Sequence, residues 1–122
     1  MPMYQVTKLH YHKVQKTLDV HFDDGLSHSL SAEFLRVHSP SAEVQGHGPG
    51  QQQLVLNKQD VTISQIEPVG HYAVRLVFDD GHNSGLFSWQ YLRKLCEQHE
   101  ILWQDYQQRV SAKHDVPIKF MP

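Results

Sequence analysis

The chain of 122 residues has room for one domain, and a domain of this size buries roughly two-thirds of its unfolded surface, enough for a real core. Its 39% hydrophobic and 20% charged residues fit a folded globular protein. The formal net charge of −2 supplies no field for nucleic acid, and no apolar stretch approaches the length of a membrane span.

The first residues, Met-Pro-Met-Tyr-Gln, lack the charged-then-apolar pattern of a secretory signal, so a cytoplasmic location is expected. A first strand is expected over residues 8–14, where Leu9 and Tyr11 alternate with polar neighbours. Leu18, Val20 and Phe22 alternate in the same way and form its natural partner. Asp24-Gly25 then makes a hairpin turn, because glycine supplies the positive φ such turns need. A return strand over 26–30 leads to Ser31, a helix N-cap, and a short helix ending near Arg36.

Residues 38–53 carry neither strand nor helix periodicity. Segments this long inside a compact domain tend to be either functional or disordered. Arg36, Ser39, Ser41 and Glu43 are its candidate binding groups, with Arg93 from later in the chain, and Gly46, Gly48 and Gly50 would allow close approach to a ligand. A small-molecule or hydrolytic site over 36–48 is one reading. No activated-nucleophile elbow, phosphate loop or dinucleotide fingerprint accompanies it, so no autonomous catalysis is expected and no catalytic residue is assigned.

The second half repeats the first. A strand over 61–69 turns at Gly70-His71 into another over 73–78, where Val74, Leu76 and Phe78 alternate. Phe-Asp-Asp-Gly, first seen at 22–25, returns at 78–81, a spacing of 56 positions. With one residue inserted, Ser31 matches Ser88, Phe34 matches Tyr91, Leu35 matches Leu92 and Arg36 matches Arg93. The paired acids read as turn formers, with a carboxylate metal site as the alternative. Trp89, Leu92, Cys96, His99, Trp103, Tyr106 and Val110 then recur at helical spacing and predict one long helix lying on the sheet, with Cys96 a small buried hydrophobe. From Ser111 the chain is expected to fray, since Val116-Pro117 and Met121-Pro122 cannot continue a helix.

These elements predict an α+β fold, mainly antiparallel sheet, built from a duplicated β-hairpin-plus-helix unit with a longer C-terminal helix. Residues 1–110 form a single domain in this reading and 111–122 a flexible tail. The single cysteine excludes an internal disulfide, and ten scattered histidines speak against a single metal tract.

The stretch from Leu35 to Gly48, Leu-Arg-Val-His-Ser-Pro-Ser-Ala-Glu-Val-Gln-Gly-His-Gly, joins Phe78-Asp79-Asp80-Gly81-His82 and Trp89-Gln90-Tyr91-Leu92-Arg93 in a recognisable set. It resembles the gamma-butyrobetaine hydroxylase-like N-terminal domain, a domain of unknown function, in its short bacterial form. The resemblance implies a unit that precedes an iron- and 2-oxoglutarate-dependent jelly roll in animal hydroxylases, and that is appended to some iron–sulfur ATPases. In the hydroxylases it implies a zinc held by three cysteines and a histidine, and dimer contacts. Here Ser39, Ser41 and Val44 stand at the cysteine positions, and only His82 matches. His38, His47 and His82 remain candidate ligands for a divalent metal, zinc or iron. The leading expectation is a non-catalytic accessory module that binds a protein, linked to iron–sulfur or metal-enzyme metabolism. A metal-binding domain is the alternative. Homodimerisation is compatible with both.

Overall fold

The computed structural model describes residues 4–40, 55–81 and 85–114. Two three-stranded antiparallel sheets carry the fold, each followed by a helix. The first holds β1 (Val6–His12), β2 (Thr17–Phe22) and β3 (Ser27–Ser31), followed by α1 (Ala32–Val37). The second holds β4 (Ile63–Val69), β5 (Ala73–Phe78) and β6 (Gly85–Ser88), followed by α2 (Trp89–Glu97). A last helix, α3 (His99–His114), ends the described chain. The α+β architecture and the duplication read from the sequence are both present.

The repeat extends below the level of element order. β1 and β4 each slip register near their start, between Val6 and Lys8 and between Ile63 and Gln65. At the hairpin tips the Gly25 N–H donates to the Phe22 carbonyl (3.1 Å) and the Gly81 N–H to that of Phe78 (3.2 Å). Gly25 has φ +94° and Gly81 φ +92°, the positive values that close a type I turn into a hairpin. Ser31 Oγ accepts from the Phe34 N–H (3.0 Å), and Ser88 Oγ from that of Tyr91 (3.1 Å). Both helix starts are thereby capped as their serines predict. Ala32 N–H donates to Lys16 O and Trp89 N–H to Tyr72 O, which ties each helix start to the first turn of its own unit.

The inward side of each sheet follows the alternation. Leu18, Val20, Phe22 and Leu30 meet Ile63, Val74, Leu76, Phe78 and Phe87 in one buried cluster, closed by Phe34, Leu35, Leu92 and Leu95 from the helices. Burying one such side chain contributes roughly 1.5–3 kcal/mol, so a core shared by both units is a strong reason for neither to part from the other. Tyr11 reinforces the join: its hydroxyl accepts the Ile63 N–H at 3.1 Å.

The predicted single C-terminal helix is two helices. α2 ends at Glu97 and is capped by Gln98, whose φ of −107° and ψ of 14° leave the helical region, and α3 begins at the next residue. Leu92 and Cys96 are buried, and Tyr106 is 8% exposed, so the stripe survives the break. No glycine or proline marks the break. The contact made by His99 accompanies it: its ring packs edge-on against Phe34 (4.6 Å) and His28 (4.9 Å). His38 covers Phe34 as well, at 4.4 Å. α3 extends to His114, beyond the point at which the sequence reading has it fray. Among the described residues no helix is long and apolar enough to cross a membrane.

Two outcomes follow. No atom lies within 4 Å of where a Cβ would stand on Gly25 or Gly81, so the cost of a side chain there is conformational. Gly25→Val and Gly81→Val should each lower stability in urea unfolding by roughly 1–3 kcal/mol through forced positive φ, with Asn milder at both sites. The second outcome concerns pH. Burial lowers the pKa of His38, against its hydrogen bond to the Phe34 carbonyl and Asp105, with His99 and Arg109 adding smaller lowering effects. Burial and then His28 lower that of His99, against Glu100. The folded state therefore binds fewer protons than the unfolded one, and stability drops as pH falls from about 7 through the unfolded histidine value of about 6.5. Urea midpoints measured between pH 7.5 and 5 should show this loss above the carboxylate range, and His99→Phe should flatten it.

Candidate functional site

Two of the residues that the sequence singles out, Arg36 and Arg93, join the two units. Arg36, in the last turn of α1, is 6% exposed. Its Nε donates to Asp80 Oδ2 at 2.9 Å. Asp80 belongs to the turn of the second unit. Arg93, the matching residue of α2, donates through Nη1 to Asp24 Oδ1, also at 2.9 Å. Asp24 belongs to the turn of the first unit. Each copy therefore offers its turn carboxylate to the arginine of the other.

The two pairs are dressed differently. Lys58 Nζ joins Asp80 at 2.6 Å, so one carboxylate serves two cations. Arg93 also binds Glu97 at 2.7 Å, and its guanidinium lies 4.1 Å over the Tyr4 ring and 5.1 Å from that of Phe22. The hydrogen bond from Arg93 holds the Asp24 carboxyl below the usual carboxylate range, and the same bond, with Glu97, pushes Arg93 up. Asp79 has a local task, accepting the Thr62 N–H at 3.0 Å. The acids of both turns thus fold the chain and join its halves.

The remaining candidates divide. Ser39 is fully buried, and its N–H donates to Arg36 O at 3.3 Å. His38 caps α1, with Nδ1 2.9 Å from Phe34 O, and its own carbonyl accepts the Tyr91 hydroxyl. Burial pushes that phenol up to about 12. Ser41, Glu43, His47 and His82 lie outside the described residues. Arg36 and Arg93 donate to different carboxylates, Asp80 and Asp24. Among the described residues no three histidine, cysteine or carboxylate groups come together to hold a metal ion. Cys96 is 5% exposed, and burial raises its thiol to about 12. At neutral pH it is protonated, unsuited to nucleophilic attack, as a buried packing cysteine should be.

The outward sheet faces carry groups that sequence reasoning left aside. The pairing register puts Lys8 beside His21, His10 beside Asp19 and His12 beside Thr17, with Ser27 and Ser29 on the next strand. Asp19 accepts from Ser29 Oγ and meets His12 Nε2 at 2.7 Å. Ser29 first, then His12, lower its pKa. The matching positions on the second sheet are Glu67, Arg75 and Leu86, with Val77 alongside. Leu86 is 42% exposed. The copies match inside and differ outside.

The reciprocal exchange has a measurable consequence. Asp80→Asn removes the carboxylate that pairs with both Lys58 and the buried Arg36, and should cost about 3 kcal/mol in denaturant unfolding. Asp24→Asn should cost less, because its carboxylate is 44% exposed against 19% for Asp80 and serves one arginine rather than two cations. Equal losses would show that Lys58 and burial add nothing to the first pair.

Comparison with known proteins agrees with this fold. The family described as gamma-butyrobetaine hydroxylase-like, N-terminal, matches residues 9–93. No curated protein matches. Among solved structures, a protein of unknown function of the DUF971 family from Acidithiobacillus ferrooxidans is 38% identical, with a TM-score of 0.64 over 75% of this chain and 91% of that one. Two proteins with NMR solution structures are 43% and 42% identical, with TM-scores of 0.77 and 0.79. The first match covers 97% of this chain and 93% of that one, the second 99% and 100%. Matched along most of its length by the family and by three solved folds, the chain belongs to the gamma-butyrobetaine hydroxylase-like N-terminal domain family.

Proposed function

We propose that the chain is a non-catalytic accessory module that binds a protein partner through the outer face of its second sheet. The observation that carries this reading is the contrast between the two copies. Their inward residues are interchangeable in type, as a shared core demands, while their outward residues have diverged. Where the first sheet presents His10, Asp19 and Ser29 in one row, the second presents Glu67, Arg75 and Leu86. A leucine exposed on the edge strand, beside an arginine that pairs with a glutamate, sets an apolar contact next to charge, as small docking patches do.

The chemistry of the interior supports the non-catalytic half of the reading. Arg36 and Arg93 are committed to turn carboxylates, and the Cys96 thiol is protonated. The family's description names the N-terminal part of a hydroxylase-like protein, which fits a unit accessory to another. The resemblance to domains joined to iron–sulfur ATPases makes enzymes of metal metabolism the first partners to try.

Affinity capture from native extract tests the reading with three baits: wild type, Leu86→Asp, and His10→Ala on the opposite sheet. A protein held by wild type and His10→Ala but lost with Leu86→Asp is the expected result. Capture that ignores Leu86→Asp, or no specific capture by wild type, would overturn it.

A further inference from the structure

A groove of about 410 Å³ runs between α1 and α3, away from the sheet faces and the arginine pairs. Its volume falls within the range of small-molecule sites. Glu33, Gln59, Trp103, Tyr106, Gln107 and Val110 line it. The Trp103 and Tyr106 rings stack at 5.5 Å and 23° to form an aromatic wall. Trp103 is braced from behind by Phe34, edge-on at 6.1 Å.

Glu33 is the charged group of this groove. It is half-buried and makes no hydrogen bond or ion pair among the described residues. The nearest phenol cannot serve it, because the Tyr106 hydroxyl gives its proton to Val55 O at 2.7 Å. Cations on flanking segments are engaged elsewhere: Lys58 on Asp80, Lys16 on Asp60 and Arg109 on Asp105. Burial, with Asp60 nearby, shifts the Glu33 carboxyl up, the signature of a carboxylate short of counter-charge. An acid in the first turn of a helix also complements the helix dipole. That role explains an acid at this position but not the aromatic wall beside it.

A carboxylate losing water without a partner is costly, and a ring face attracts positive charge. Together they define one ligand class. We propose that the groove binds a small organic cation, an alkylammonium group whose charge meets Glu33 and whose apolar chain lies along Trp103, Tyr106 and Val110. This site does not depend on the docking face proposed above, and either can fail alone.

The two indoles make the test internally controlled. Trp89 Nε1 donates to His71 O at 2.8 Å, so it lies in the β4–β5 turn region and outside the groove lining. Labelled protein at pH 7 is titrated with n-butylammonium chloride, with n-butanol and sodium chloride in parallel, while both indole N–H resonances are followed. The expected result is a saturable shift of the Trp103 resonance with n-butylammonium, none with sodium chloride, and a response to n-butanol at least about tenfold weaker, the factor that 1.4 kcal/mol of charge recognition would give. Glu33→Gln should weaken n-butylammonium to the level of n-butanol, with an unmoved Trp89 resonance showing that the variant is folded. Equal responses to n-butylammonium and n-butanol in the wild type, or matching shifts of both indoles, would overturn the proposal without recourse to any variant.

Discussion

Two arginines reach across the molecule and each takes the carboxylate of the opposite turn. This exchange sets strict terms for the rest of the structure. The turn must hold its second aspartate in place, which requires the positive φ found at Gly25 and Gly81. The helix must start at a fixed point after the return strand for its arginine to arrive in reach, and Ser31 and Ser88 fix that point. The strands between must be short and in register, or the turn of one copy would miss the helix of the other. Turn, cap and arginine recur together because the contact needs all three at once. The hydrophobic core supplies most of the stabilisation, and the exchange specifies how the halves face each other.

Much of this was legible in the residues. Alternation at Leu18, Val20 and Phe22 and again at Val74, Leu76 and Phe78 located the central strands, because period-2 burial leaves a local mark. Asp-Gly and serine act within a few residues of themselves, so turns and caps could be read directly. What could not be read is set by contacts distant in sequence. The break at Gln98 carries no glycine or proline, and it coincides with His99 packing on Phe34, 65 positions earlier in the numbering. The division into two sheets depends on which edges fail to pair. The arginine exchange left one readable trace: Phe-Asp-Asp-Gly and Leu-Arg were duplicated as a set, and a pairing between copies would have explained why. Nothing in the sequence placed Glu33 beside Trp103 and Tyr106, since stripe residues usually belong to a core. Of the candidate site, Arg36 and Arg93 proved to be joined to turns, Ser39 is buried, and Ser41, Glu43, His47 and His82 fall outside the described residues.

Duplication gives such a domain a division of labour. Inward residues answer to a common core and stay alike; outward residues answer to solvent and partners and are free to change. The first sheet spends its outer positions on imidazoles and hydroxyls around one carboxylate, the second on a charged pair beside a leucine. α3 follows α2 and, with α1, forms the groove at Glu33.

The reciprocity of the two arginine pairs also bears on what one unit is by itself. A partner i to j and j to i is the contact rule of a two-fold homodimer. One strand-strand-strand-helix unit alone would carry an arginine with no turn to reach and a turn with no arginine to hold, and it would become complete on meeting a second. Covalent continuity between Val37 and Ile63 is a tether that turns that meeting into an intramolecular event. The chain is, in geometric terms, a dimer whose protomers share one backbone. That tether left each protomer free to mutate its exposed side without consulting the other.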